Sequence, residues 1–258
     1  MMMSYKANAQ IFTQVIDEQE LQFKVKLIDE FFQRFNYETD YKGEPVAMEA
    51  TDSISVDNVL KRKNLMTLFN LDKFAGKNNE LDSISSDFLS YVIDNDKKIN
   101  YADTTWQAEA IASFLMNGKS YPIKIFLQTE HVKDVIYKWV ITDIETPAFK
   151  NLTDTIKTEV SIFPGAHGSS FMTLPATINL NAEFIQALFH KEYKPDTLVL
   201  FAYLVSKGKI KLQNVTKVIY HFQLDGYNFT VERFEKENSY NNGWLISSIV
   251  KLKNKGKL

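Results

Sequence analysis

His221 and Glu232 are the side chains whose types and placement most readily do chemistry. His221 falls in the middle of an expected strand, opposite Thr230 and diagonal to Glu232. Diagonal neighbours on one face of a sheet are within reach of long side chains. A carboxylate beside an imidazole raises the imidazole's pKa, and the pair can then move a proton to or from a substrate. The same residues also make an ordinary solvated sheet face, and both readings stay open. A second candidate is the loop Pro164-Gly165-Ala166-His167-Gly168-Ser169-Ser170. Its glycines free the backbone to present successive N–H groups, and His167, Ser169 and Ser170 add donors for an anion. It lacks the Gly-Lys-Ser/Thr ending of a phosphate loop and the Gly-X-Ser-X-Gly spacing of a nucleophile elbow. A plain surface loop is the alternative.

His167, Ser169, Ser170, His221, Thr230 and Glu232 are therefore candidates for ligand binding, and no residue set spells out a catalytic constellation. The other histidines, His131 in an expected turn and His190 near an expected helix C-terminus, do not share a metal-binding spacing. There is no cysteine, so thiolate chemistry, disulfides and cysteine zinc sites are excluded. No metal and no cofactor is expected.

The strands that must position His221 are written out by turn signals. Asp225-Gly226 has the form of a two-residue type I′ hairpin, and Asn242-Gly243 has the same form. With the first as a turn, Leu224 faces Tyr227, Phe222 faces Phe229 and Tyr220 faces Val231, while Gln223 faces Asn228 and His221 faces Thr230. One register sorts an apolar face from a polar one, as a half-buried sheet requires. Residues 209–252 are thus expected to form a three-stranded antiparallel meander. Asn117-Gly118 predicts another hairpin between Trp106–Met116 and Lys119–Glu130, pairing Phe114 with Tyr121 and Ala112 with Ile123, with a helix over Trp106–Met116 as the alternative. Val135, Tyr137, Trp139 and Ile141 alternate through the third strand of this first meander. Trp106, Trp139 and Trp244 fall on strands, where a core role and a carbohydrate platform are the competing readings.

Helices precede the strands. Leu21, Val25, Ile28, Phe32 and Phe35 recur at helical spacing over residues 18–36. Ser55 or Asp57 can cap a second helix reaching about Phe69, and Ser85-Ser86-Asp87 starts a third that ends by Asp94-Asn95-Asp96. Residues 147–207 are irregular. Within them, Ala182–His190 and Asp196–Ser206 read as helices, with a buried strand over Leu198–Val205 as the alternative to the second. The expected fold is α+β: N-terminal helices packed on a curved, mainly antiparallel sheet of two three-stranded meanders, with an irregular and helical insertion. Residues 1–17 are set apart as a signal remnant or disordered N-terminus, and 18–258 as a single domain with its insertion at about 147–207.

Phe31-Phe32-Gln33-Arg34-Phe35 in the first helix, the two meanders and the final strand Gly243-Trp244-Leu245-Ile246 carry a family resemblance. Over residues 18–145 and 209–252 the chain resembles the nuclear transport factor 2-like superfamily, with 147–207 a departure from its pattern. The resemblance implies an α+β cone whose helices and sheet enclose a pocket, and often a homodimer through the sheet. Members range from isomerases and dehydratases to non-catalytic binding modules, so the fold leaves activity open.

The net charge of -2, from 30 basic and 32 acidic residues, excludes a globally basic nucleic-acid binder. No segment approaches the roughly 20 apolar residues of a membrane-spanning helix. Ala7-Asn8-Ala9 places small residues where a signal peptidase reads them. Asp52-Ser53-Ile54, Asp82-Ser83-Ile84, Asp103-Thr104-Thr105, Asp154-Thr155-Ile156 and Asp196-Thr197-Leu198 resemble an O-glycosylation sequon of exported proteins in some Gram-negative bacteria. Helix caps and turns make the same tripeptides. The expectation is an exported, periplasmic protein, or a cytoplasmic one if the N-terminus is as written. Its function is expected to be non-catalytic binding of a small molecule, glycan or protein partner, with an acid–base enzyme using a pocket histidine as the alternative.

Overall fold

The computed structural model describes residues 27–46, 54–75, 80–133, 136–150, 196–237 and 241–252, together with residue 179. The fold is α+β, as the periodicities require. The helices α1 (Ile28–Phe35), α2 (Ile54–Met66), α3 (Leu71–Phe74) and α4 (Ser83–Asp94) precede the strands β1 (Gln107–Met116), β2 (Lys119–Lys133) and β3 (Ile136–Glu145). After α5 (Thr197–Ser206) come β4 (Ile210–Leu224), β5 (Tyr227–Phe234) and β6 (Gly243–Lys251). The strands form one six-stranded antiparallel sheet in the order β3-β2-β1-β4-β5-β6, which is the two expected meanders side by side. The chain divides into two compact units. One gathers Met1–Ala110, Phe126–Val140 and Lys217–Leu258, and the other Ile111–Ile125 and Ile141–Thr216.

In the first unit, α1 carries Asp29 and Glu30 in its first turn and Arg34 in its last, matching the helix dipole at both ends. It buries Phe31, Phe32 and Phe35. Asn36 then ties the helix end to the chain before β1, since its amide donates to the Ile99 carbonyl and accepts from the Ile99 N–H, both at 2.9 Å. Helix α4 starts from Asp82, whose carboxylate accepts from the Ser85 N–H at 2.8 Å. The expected start at Ser85-Ser86-Asp87 is therefore two residues late, because Asp82 makes the cap that those residues were expected to supply. Ser55 and Asp57 lie inside α2 rather than before it.

The helices pack on the apolar face of the C-terminal meander. Phe35 stacks on Phe229 at 5.6 Å, Phe229 on Phe222 at 4.9 Å, and Phe222 on Trp106 at 5.4 Å. Phe88 of α4 closes on Phe229 from the side at 5.3 Å. The end of α2 leads into the Phe69–Ile246 bridge, where Asn70 N–H donates to Ile246 O and Ile246 N–H to Leu68 O.

The β4–β5 register is the one the side-chain alternation predicts, from Leu224↔Tyr227 to His221↔Thr230. The turn itself differs. Gly226 has a φ of 81°, but Asp225 has no positive φ, and a type I′ turn needs both. Asn117 and Gly118, with φ of 52° and 75°, do form the primed pattern. Asn242-Gly243 is not a two-residue hairpin: β5 pairs with β6 at Phe234↔Gly243, leaving residues 235–242 as the loop. The Asn242 side chain closes that loop by bonding the N–H and the carbonyl of Lys236 at 2.8 and 3.1 Å.

In the second unit, Phe114 stacks on Tyr121 at 5.7 Å, as the Asn117-Gly118 register predicts, and tilts on Phe149 at 6.2 Å. Ala112, Ile123 and Ile144 are buried with them. Asp196 caps α5 by accepting from the N–H groups of Leu198 and Val199, which decides between helix and strand there. Asp82 and Asp196 are thus both helix caps, and Asp103 accepts from the Thr105 N–H in a turn. The cap-and-turn reading accounts for these three Asp-Ser/Thr tripeptides. The expected helix Ala182–His190 and the segments around Asp52 and Asp154 lie outside the described residues.

Candidate functional site

The polar face of the C-terminal meander in the first unit holds a cavity of about 410 Å³. Strand alternation builds it. With Phe222 and Phe229 turned into the core, His221 and Gln223 of β4 must face the other way, and so must Asn228 and Thr230 of β5. Pairing aligns them in two rows across the strands, His221–Thr230–Ser248 and Gln223–Asn228–Val250. Strand β1 adds Gln107 and Glu109, from the face opposite its buried Ala108. Among the described residues, the result is a basin of amides and hydroxyls with one acid and one imidazole. It lies on the sheet face away from α1–α4, whereas the face they cover is filled by aromatic rings.

The carboxylate beside His221 is Glu109, not Glu232. His221 Nε2 stands 3.6 Å from Glu109 Oε2, with the Glu109 side chain only 12% exposed. Glu232 is engaged elsewhere. Its Oε2 is 2.7 Å from Lys217 Nζ, and its Oε1 accepts from Ser247 Oγ at 2.9 Å. Burial works to raise the Glu232 pKa, but the bonds from Lys217 and Ser247, with the charges of Lys73 and Lys217, outweigh it and hold the group below its usual range.

A β-bulge explains how Ser247 reaches both neighbours. The β5–β6 register slips between Thr230, which pairs with Ser248, and Val231, which pairs with Ile246. Ser247 is the extra residue, and Leu245, Ile246 and Ser247 are consecutively buried where a regular strand would alternate. Its hydroxyl lies 2.8 Å from Thr230 Oγ1. Thr230 of the cavity is thereby linked through Ser247 to Glu232 and Lys217.

Of the expected site residues, His221 and Thr230 come together in one cavity and Glu232 stands behind it as support. His167, Ser169 and Ser170 lie outside the described residues, as does His190. His131 is within β2 rather than in a turn, its ring 5.0 Å from Tyr137. Among the described residues no group of three or more His, Cys, Asp and Glu side chains is arranged to hold a metal ion. No described helix is long and apolar enough to cross a membrane. Sequence reasoning missed Glu109, Gln223, Asn228 and Ser247. Gln223 and Asn228 follow from the hairpin register, but Glu109 needed the pairing of β1 with β4.

A second cavity of about 570 Å³ belongs to the second unit, where Ile111, Ile123, Ile144 and Phe149 make it largely apolar. His221, Thr230 and Glu232 do not line it. No protein-family model matches the chain, and neither does any curated protein or solved structure.

Proposed function

We propose that the chain is a non-catalytic binding protein, exported to the periplasm, whose polar cavity holds a small hydroxylated molecule such as a glycan unit. The observation that carries this reading is the joint placement of Gln107, Gln223, Asn228 and Thr230 around the cavity of about 410 Å³. Amides and hydroxyls both donate and accept, so together they complement the hydroxyls of a sugar-like ligand. The volume falls within the roughly 300–1,000 Å³ range of small-molecule sites. Pairing of two copies through the sheet belongs to the same proposal, on the strength of the resemblance to nuclear transport factor 2-like proteins. Export is supported by Ala7-Asn8-Ala9, and N-terminal sequencing of protein from fractionated cells tests it.

Thermal unfolding against a panel of saccharides and polar metabolites tests the binding reading. A ligand at a hundred times its Kd adds about 2.7 kcal/mol. For a chain of this size that raises the Tm by about 5–10 °C. Gln223→Ala and Asn228→Ala should each remove most of the shift. A shift that survives both substitutions, or none with any hydroxylated compound, overturns the proposal. One observation favours a second reading, an acid–base enzyme: His221 and Glu109 are 3.6 Å apart in the same cavity. That reading requires turnover of the bound compound, lost in His221→Gln and in Glu109→Gln.

A further inference from the structure

The aromatic residues of the first unit continue past its buried core to the surface. Trp106, 4% exposed, meets Trp139 edge-on at 4.6 Å and Tyr220 at 5.6 Å. Tyr220 meets Trp139 at 6.3 Å and Trp244 at 5.1 Å, while Tyr101 approaches Trp106 edge-on at 6.1 Å. The outermost rings are partly exposed: Tyr101, with one face stacked on Phe32 at 3.9 Å, is 43% exposed, and Trp139 is 39% exposed. Because Tyr220 alternates with His221 along β4, this cluster lies on the opposite sheet face from the polar cavity.

A carboxylate stands beside Tyr101. Asp29 accepts the Tyr101 hydroxyl at 2.8 Å. Burial and then Asp29 push the Tyr101 pKa well up, with Glu38 adding to it, and burial and then Asp29 do the same to Tyr220. Among the described residues, the formal charges acting on both phenols are thus negative. Arg233 stands across from Trp244 in the sheet, and Glu235 neutralises it.

We propose that the exposed face of Tyr101, whose hydroxyl is bonded to the Asp29 carboxylate, and the exposed part of Trp139 bind an alkylated organic cation of the quaternary ammonium class. Aromatic faces attract a cation through their quadrupole, and the attraction grows as water is excluded. An alkylated ammonium brings apolar groups to the rings and diffuse charge to the carboxylate. A neutral sugar would gain the stacking but nothing from the negative field. A metal ion would gain the charge but is too strongly hydrated to use the rings.

The chain's 3 tryptophans all belong to this cluster, so intrinsic emission reads the site directly. The full chain is titrated with choline chloride, with sodium chloride as the ionic-strength control, and with the neutral isostere of choline in which carbon replaces nitrogen. Choline should change the emission saturably, and the isostere should bind at least about tenfold more weakly. Asp29→Asn keeps an acceptor for Tyr101 but removes the charge, and Trp139→Ala removes an exposed ring. Each should weaken choline binding by about three- to tenfold, read at a temperature where circular dichroism shows the variant folded. Equal binding of choline and its isostere overturns the proposal, as does the lack of a saturable response up to about 100 mM choline, which leaves no more than a very weak contact.

Discussion

Replacing Glu232 by Gln tests the assignment of that residue to the support of the sheet rather than to proton transfer with His221. The substitution keeps the side chain's shape and removes its charge. Two interactions weaken: the 2.7 Å contact with Lys217 and the 2.9 Å bond from Ser247. Hydrogen bonds to a charged group contribute about 1.5–3 kcal/mol each, against about 0.5–1.5 for neutral ones. The Lys217 side chain is 45% exposed, so solvent screens its share to about 0.5 kcal/mol. The Ser247 bond is part-buried and loses its charge assistance, about 1 kcal/mol. The expected cost at pH 7 is therefore about 1–2 kcal/mol. Its pH dependence follows from the direction of the Glu232 shift. A carboxylate held below its unfolded value, about 4.3, stabilises the fold above that pH and loses the contribution as pH falls through the lower folded value. Urea unfolding of wild type and Glu232→Gln at pH 7 and at about pH 3 should show the difference shrinking towards zero at the lower pH. A cost that is equal at both pH values, or absent at pH 7, refutes the reasoning. Lys217→Met in both backgrounds separates the Lys217 share by a double-mutant cycle.

Two other substitutions probe the scaffold. Gly226→Ala places a side chain at a φ of 81° with no atom within 4 Å, so conformation alone sets its effect, a loss of about 1–2 kcal/mol in urea midpoints. Phe229, 1% exposed and in ring contact with Phe35, Phe88 and Phe222, should lose about 3–5 kcal/mol as Ala, and distinctly less as Leu, in the same unfolding assay.

The β4–β5 pairing was legible because both its cause and its consequence are local. Tyr220, Phe222 and Leu224 alternate against Tyr227, Phe229 and Val231 across the Asp225-Gly226 turn, and a slip of one residue would invert every side chain. Asn242-Gly243 misled for an equally local reason. Asn242 uses its side chain to fold back on Lys236, so the same dipeptide ends a longer loop instead of forming a tight turn. The cap of α4 was present in the sequence as Asp82, hidden by the neighbouring Ser85-Ser86-Asp87, any of which could open a helix. The partner of His221 was not legible. Glu232 shares a hairpin with His221, whereas Glu109 reaches it only because β1 lies beside β4, a pairing between distant parts of the chain. Periodicity places a residue on a face, but it does not say which strand comes next.

The bulge at Ser247 decides how the candidate residues divide. In a regular ladder Thr230 and Glu232 would project from the same face two residues apart, and both would be natural cavity groups beside His221. The extra residue breaks that equivalence by inserting a buried hydroxyl between them, bonded to Thr230 on one side and to Glu232 on the other. Glu232 is drawn towards Lys217, and Thr230 remains at the cavity with its hydroxyl held by Ser247. Glu109 then supplies the acid that the hairpin does not. Among its described lining residues, the basin therefore offers a proposed ligand one carboxylate, one imidazole and several neutral groups. That balance favours recognition of hydroxyls over binding of an anion, because the single imidazole is already faced by the acid.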